Sequence, residues 1–317
     1  MTTNPKDYQD TLKSFENRSI LSINDFSKNE LLALIQLTAA FKNKTIHSNL
    51  QGSLMASCFF EPSTRTKLSF ESAMKRLSGE VIGFSDAKET SISKKETLSD
   101  TIKMVGEYAD VIVLRHPFSG SARLAHESTK TPVINAGDGS NQHPTQTLVD
   151  LFTINQCQNK LNDLHIGFTG DLKYSRTIHS LVQACSIFNM RMYFTSYYGL
   201  ELPSQISNEL KNKSILFSFH PDLKEIIPKL DILYMTRIQE ERMPKPFSYS
   251  TEENYHLEES MLEKAKSNLK ILHALPRVNE IDRSLDNHPS AYYFEQAKNG
   301  LYLRQALLSS ILGKLWK

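Results

Sequence analysis

The residues best suited to chemistry in this chain are cations and hydroxyls that follow directly on apolar runs. Ser63, Thr64, Arg65 and Thr66 come after Leu54–Phe60, and Arg115-His116-Pro117 follows Val111–Leu114. A Gly/Asn-rich loop from Asn135 leads to His143 and Gln146, Asp171–Arg176 follows Ile166–Thr169, Arg237 and Gln239 follow Ile232–Thr236, and Leu275-Pro276-Arg277 follows Ile271–Ala274. Fixed cations and N–H groups gathered at one place bind anions. Ser63–Thr66 opens a segment with Phe70, Ala73, Met74 and Leu77 at helical spacing. It is therefore a strand–turn–helix joint, the outline of a phosphate site. Arg237 and Gln239, two apart after a strand, share one side if extended and together suit a carboxylate. Arg176 stands where a helix begins, against the dipole, which favours a bound anion there.

Each cluster also has a purely structural reading. Ser-Thr-Arg-Thr can cap a helix beside a solvated arginine, Arg115 can form a surface ion pair, and His143 can cap the helix after Pro144. The charged run Lys88–Glu96, with Ser91, Lys94 and Lys95, reads first as a solvated loop. What joins the clusters is their common position after proposed strands, because ligands of open α/β sheets bind outside the carboxyl ends of the strands.

The elements that must position these residues alternate. Ser27 and Glu30 form a capping box ahead of Leu31, Leu34, Leu37 and Phe41, predicting a first helix after some 24 residues of little pattern. Strands are expected at 54–60, 81–84, 111–114 and 133–136, with helices at 66–78, 97–108 and 121–128 between them. Beyond the loop ending at Pro144, the candidate hinge, comes a helix with Leu148, Leu151 and Phe152, and the alternation resumes. Its strands are expected at 166–169, 192–195, 215–217, 232–236 and 271–274, with a helix carrying Ile178, Leu181, Val182 and Cys185. This pattern predicts an α/β class with parallel sheets and helices on both faces, in two successive units. The polar stretch from Ile238 to Leu257 reads as a lid, and Ala291–Trp316 as a terminal helix that docks back on another part of the fold.

Composition sets the limits. At 317 residues, 39% of them hydrophobic, the chain can bury the cores of two domains, and a formal net charge of +2 gives no general attraction to nucleic acid or membrane. No apolar run is long enough to span a bilayer and the start lacks a secretory pattern, so a cytoplasmic protein is expected. Cys58, Cys157 and Cys185 read as reduced, packed thiols. There is no phosphate loop of the Walker type, no dinucleotide glycine turn and no metal-ligand spacing, so neither a nucleotide cofactor nor a metal is expected.

Taken in order, Phe-Phe-Glu-Pro-Ser-Thr-Arg-Thr, Leu-Arg-His-Pro, Asn-Ala-Gly-Asp-Gly-Ser-Asn-Gln-His-Pro-Thr-Gln, Gly-Asp-Leu-Lys-Tyr-Ser-Arg-Thr, Tyr-Met-Thr-Arg-Ile-Gln and His-Ala-Leu-Pro-Arg closely resemble the aspartate/ornithine carbamoyltransferase family, and within it the aspartate branch. The resemblance runs from about residue 25 to the end. It implies two doubly wound α/β domains with parallel sheets, joined by helices: 1–144 with about 300–317 for carbamoyl phosphate, and 145–299 for L-aspartate. It also implies a homotrimer with shared active sites; whether regulatory chains bind is not decided by the sequence. The implied activity is carbamoyl transfer to the aspartate amine, early in pyrimidine biosynthesis.

By the same resemblance, Ser63, Thr64, Arg65 and Thr66 hold the phosphate, and Thr66, Arg115 and His143 polarise the carbonyl oxygen. Gln146 and the backbone of Leu275 and Pro276 hold the carbamoyl amide, while Arg176, Arg237 and Gln239 take the carboxylates of aspartate. Ser91 and a following lysine reach in from a neighbouring subunit. The loop 90–97 is one residue shorter than in the form familiar from close relatives, so that lysine is Lys95 by its distance from Ser91, with Lys94 as the alternative. Ser175 and Ala274 replace a more usual glycine and proline. The rival readings are ornithine carbamoyltransferase and a non-catalytic module of the same fold. Against the first stand the absence of cysteine in His273–Pro276 and the repulsion between Arg237 and a cationic tail.

Overall fold

The computed structural model describes residues 8–86, 88, 90–243 and 256–315. By contacts the chain divides into Met1–Phe152 with Lys298–Lys317, here the N-terminal unit, and Thr153–Ala297, the central unit.

The N-terminal unit runs α1 (Gln9–Lys13), α2 (Lys28–Lys42), β1 (Leu54–Phe59), α3 (Arg65–Arg76), β2 (Glu80–Phe84), α4 (Leu98–Tyr108), β3 (Val111–His116), α5 (Ser121–Ser128) and β4 (Val133–Asp138). The capping box of α2 forms as its sequence demands: Glu30 N–H donates to Ser27 Oγ at 3.3 Å and Ser27 N–H to Glu30 Oε2 at 2.7 Å. Its stripe Leu31, Leu34, Leu37 and Phe41 is buried. The strands form one parallel sheet in the order β2-β1-β3-β4, and Ile20 adds a parallel bridge to Ile134. Strands β1 and β3 lie inside the sheet, and their apolar residues pack with Ile102, Ala122 and Ala125 of the covering helices. Edge strand β2 is largely exposed.

Helix α6 (Pro144–Gln158) runs across the division between the units, which by contacts falls between Phe152 and Thr153. The loop's composition marks a turn, but the helix it starts runs on without a break.

The central unit continues with β5 (His165–Gly170), α7 (Arg176–Ile187), β6 (Arg191–Ser196), α8 (Ser204–Asn212), β7 (Phe217–Phe219), β8 (Ile232–Met235) and β9 (Lys270–His273). These strands form a second parallel sheet in the order β7-β6-β5-β8-β9. Its core gathers Leu230, Leu233, Met235, Ile271 and Tyr293. Last comes α9 (Tyr293–Ile311), whose residues from Lys298 belong to the N-terminal unit. Among the described residues no helix is long and apolar enough to cross a membrane.

The topology matters more than the composition of either sheet. From β1 the chain moves outward to β2, then returns to the other side of β1 for β3 and β4. From β5 it moves out through β6 and β7, then returns to the other side for β8 and β9. Each sheet therefore reverses direction once, between β1 and β3 and between β5 and β8. At such a reversal the loops leaving the strand ends diverge, and the crevice between them is where open α/β sheets bind ligands.

Candidate functional site

Both reversals carry the residues singled out above. In the N-terminal unit, Ser63–Thr66 leave β1 and Arg115 lies at the end of β3. The two strand ends stay joined, since Phe60 N–H donates to Arg115 O at 2.8 Å. Thr64 is the N-cap of α3, yet it has helical φ and ψ and its side chain makes no capping bond. The purely structural reading of these hydroxyls as caps thus fails for Thr64. No acidic residue occupies the first turn of α3, so nothing from the helix itself offsets the positive end of its dipole. Arg65 is exposed and Thr66 is buried beside it.

Arg115 faces Glu61 of the same turn, with Nε 2.8 Å from Glu61 Oε1, near in distance but not aligned to donate. The expected ion pair is therefore real but lies within the site rather than on the open surface, since both side chains are mostly covered. The neighbouring His116 belongs to the scaffold. Its Nδ1 accepts the Phe118 N–H at 3.1 Å and meets Ser121 Oγ at 2.7 Å, and burial depresses its pKa, which suits a neutral ring.

His143 is buried at the start of α6 and is held there by its loop. Asp138 anchors that loop: one carboxylate oxygen accepts from Asn135 Nδ2 at 2.9 Å and Gln142 N–H at 3.2 Å, the other from Gly120 N–H at 2.8 Å and Asn141 Nδ2 at 3.0 Å. Gln146 follows one turn into α6, its N–H donating to His143 O at 3.0 Å. Ser91, Lys94 and Lys95 are exposed on the segment after the edge strand β2. Ser91 begins a short 3-10 turn, and Lys95 adopts φ +71°, a left-handed conformation that turns the chain toward Glu96.

In the central unit the reversal is held by Asp171, a fully buried carboxylate. It accepts the N–H groups of Lys173 at 3.0 Å and Tyr174 at 2.8 Å from its own loop, and that of Gln239 at 3.0 Å from the loop after β8. Burial raises its pKa, and those three hydrogen bonds pull the other way. Gly170 precedes it at φ +115°, where an added Cβ would lie 2.0 Å from Thr236 O; only glycine lets the strands approach so closely.

Arg176 begins α7 and is 3% exposed, with no acidic residue in that first turn. Ser175 has φ −83°, which any residue accepts, so the serine introduces no strain. Its Oγ instead meets Thr177 Oγ1 at 3.0 Å and Thr236 Oγ1 at 3.3 Å.

Arg237 pairs with Glu241: Nη1 donates to Oε2 at 3.0 Å, Nη2 meets Oε1, and this bonding raises the arginine's pKa. Arg237 and Gln239 would share one side if extended, and the chain between them is not extended. Gln239 has φ −97° and ψ 59° and precedes a 3-10 turn, Glu240–Arg242, because its N–H is drawn to Asp171. Of the stretch read as a lid, 244–255 lies outside the described residues.

After β9, Leu275 adopts φ +55° and its peptide with Pro276 is cis. Its N–H donates to His273 Nδ1 at 2.7 Å, and His273 Nε2 meets Glu280 Oε1 at 2.6 Å. Glu280 also accepts the N–H groups of Val278 and Asn279, each at 3.0 Å. Ala274 thus sits in a loop held by the His273–Glu280 pair rather than by ring stiffness. Arg277 is held by Asp286 and by Tyr293 Oη at 3.1 Å. Asp138 and Glu280 are supports that no motif picks out, and Asp171 enters the sequence reading only as the start of a cluster, not as a support. Asp171 alone carried a signal, an acid two residues before a turn and just after a strand.

Residues 18–156 match the carbamoyl-P binding domain of aspartate/ornithine carbamoyltransferase, and residues 162–311 its Asp/Orn binding domain. The chain is 51% identical to the aspartate carbamoyltransferase catalytic subunit of Chromobacterium violaceum, over 94% of this chain and 98% of that one. Among solved structures it is similar to the catalytic subunit of M. jannaschii aspartate transcarbamoylase (44% identity, TM-score 0.85, 93% of this chain and 98% of that one). It is also similar to the Trypanosoma cruzi enzyme in complex with carbamoyl phosphate and aspartate (34% identity, TM-score 0.90, 95% and 98%).

Proposed function

The chain belongs to the aspartate/ornithine carbamoyltransferase family, and from that premise we propose that it transfers the carbamoyl group of carbamoyl phosphate to the amine of L-aspartate. The products are N-carbamoyl-L-aspartate and phosphate, an early step of de novo pyrimidine biosynthesis in the cytoplasm. The observation that supports this reading is the pairing of topology with charge: each parallel sheet reverses once, and each reversal carries arginines at strand or helix ends.

In the N-terminal unit the roles fall as follows. Ser63, Thr64, Arg65, Thr66 and the open end of α3 take the phosphate, which carries charge throughout the reaction. Thr66, Arg115 and His143 face the carbonyl oxygen, where negative charge grows as the amine adds. Gln146 takes the carbamoyl amide, as does the backbone of Leu275 and Pro276 in the central unit. Residues 1–144 with about 300–317 form the carbamoyl-phosphate domain on this reading, and 145–299 the aspartate domain.

Arg176, Arg237 and Gln239 receive the two carboxylates of aspartate. A cationic ornithine tail beside Arg176 and Arg237 would be repelled, which favours aspartate. The amine nitrogen forms a bond to the carbonyl carbon, the bond from that carbon to the phosphate oxygen breaks, and the departing phosphate accepts the amine proton. Positioning and fixed charge suffice for this, so neither metal nor cofactor is required. Ser91 and Lys95 serve the site of a neighbouring copy in a homotrimer. Their exposure is what such a role requires. Purified protein supplied with carbamoyl phosphate and L-aspartate is expected to release N-carbamoyl-L-aspartate and phosphate one for one; phosphate without that product would reject the reading.

A further inference from the structure

Helix α9 carries an arginine on its buried face, between Leu303 and Ala306. Arg304 is 3% exposed, its Nη1 donates to Gly300 O at 2.9 Å, and its guanidinium carbon lies 4.9 Å from the Phe70 ring centroid on α3. Its Nε finds no hydrogen-bond partner among the described residues. Burial lowers the arginine's pKa to about 10, and the charge of Asp150 acts in the opposite direction. Gly300 keeps the space open, since an added Cβ would lie 2.4 Å from Arg304 Nη1. A buried cation with an unmade bond is a poor way to fill a core, and an apolar side chain of similar volume is often at least as stable.

Asp150 supplies the reason. It is fully buried on α6, one turn beyond Gln146, and it accepts a hydrogen bond from Gln146 Nε2 at 2.8 Å. A carboxylate can only accept, so the amide must turn its NH2 toward Asp150, leaving Oε1 as its acceptor. A cation nearby favours that ionised form. The carbamoyl group differs from an acetyl group of nearly the same shape by an NH2 in place of a methyl, and that NH2 needs an acceptor.

We propose that Asp150 and Arg304 are positioning residues that hold the Gln146 amide in one orientation, so that its oxygen selects the NH2 of carbamoyl phosphate. The inference rests on the reading of Gln146 given above and deepens it. Residues from α6 and from the end of the chain are thereby assigned to one task, the recognition of a single nitrogen.

The test compares carbamoyl phosphate as substrate with acetyl phosphate as competing ligand. Asp150→Asn can donate to Gln146 Oε1 and lets the amide turn. It is expected to lower kcat/KM for carbamoyl phosphate about tenfold while changing the inhibition constant of acetyl phosphate less than about twofold. Gln146→Ala should show the same selective loss, and the double variant should be no worse than Gln146→Ala alone. Gly300→Ala, which only crowds the guanidinium, should show a smaller loss of the same kind and provides the readout if Asp150→Asn does not fold. Equal losses for both ligands, or additive losses in the double variant, would overturn the proposal. A Gln146→Ala enzyme without selective loss would instead refute the reading of Gln146 itself.

Discussion

Gln239 N–H donates to Asp171 Oδ2 at 3.0 Å, so one buried carboxylate joins the loop after β5 to the loop after β8. The same side chain holds Lys173 and Tyr174 through Oδ1. Arg176 and Arg237 thus take their places from a group that need not touch any ligand.

Replacing Asp171 by alanine leaves three backbone N–H groups without their acceptor. A loss of about 3 kcal/mol in stability is expected, from roughly 1 kcal/mol for each bond. Because both arginine loops loosen together, KM for aspartate should rise far more than KM for carbamoyl phosphate. Denaturant unfolding and steady-state kinetics on the same preparation check both statements.

Arg277, Asp286 and Tyr293 make stability depend on acid. The bond from Arg277 is the main cause that lowers the Asp286 pKa below its ordinary value of 3.8; slight burial opposes it, and Tyr293 adds to the lowering. A depressed carboxyl contributes stability that is fully present above 3.8 and is lost as pH falls through the folded value. Denaturant midpoints measured across that window should fall with acid in the wild type. Asp286→Asn should be less stable at neutral pH and show a shallower fall.

Exposed Ser91 and Lys95 on one side, and buried His143 on the other, make the shared-site reading testable by mixing. Lys95→Ala and His143→Ala chains should each be nearly inactive alone. Dissociated and reassembled together, they should regain activity through hybrid sites that lack both defects. The same experiment with Lys94→Ala should give little recovery, because that chain is expected to be active to begin with.

Much of the fold could be read from residue order alone. Buried parallel strands read as short apolar runs, and the Ser27–Glu30 box and the stripe Phe70, Ala73, Met74 locate α2 and α3 without tertiary information. The sequence does not show α8, because Ser204–Asn212 is mostly polar and buries only Ile206 and Leu210. Nor does it show α1, five residues with only Leu12 buried. At the site, the arginines after strands were visible through their position, whereas their supports were not. Glu280 is a partner for His273 only once the loop between them has folded back. Gln239 departs from an extended path because of Asp171, 68 residues earlier in the chain. Arg304 is detectable in retrospect as a charge set among buried apolar positions on α9.

The most direct test of the account is the choice of amine. With carbamoyl phosphate held constant, kcat/KM should be measured for L-aspartate and for L-ornithine on the wild-type protein. The charge of Arg176 and Arg237 predicts rapid formation of N-carbamoyl-L-aspartate and no detectable citrulline. Citrulline formation with no carbamoyl-aspartate would contradict it.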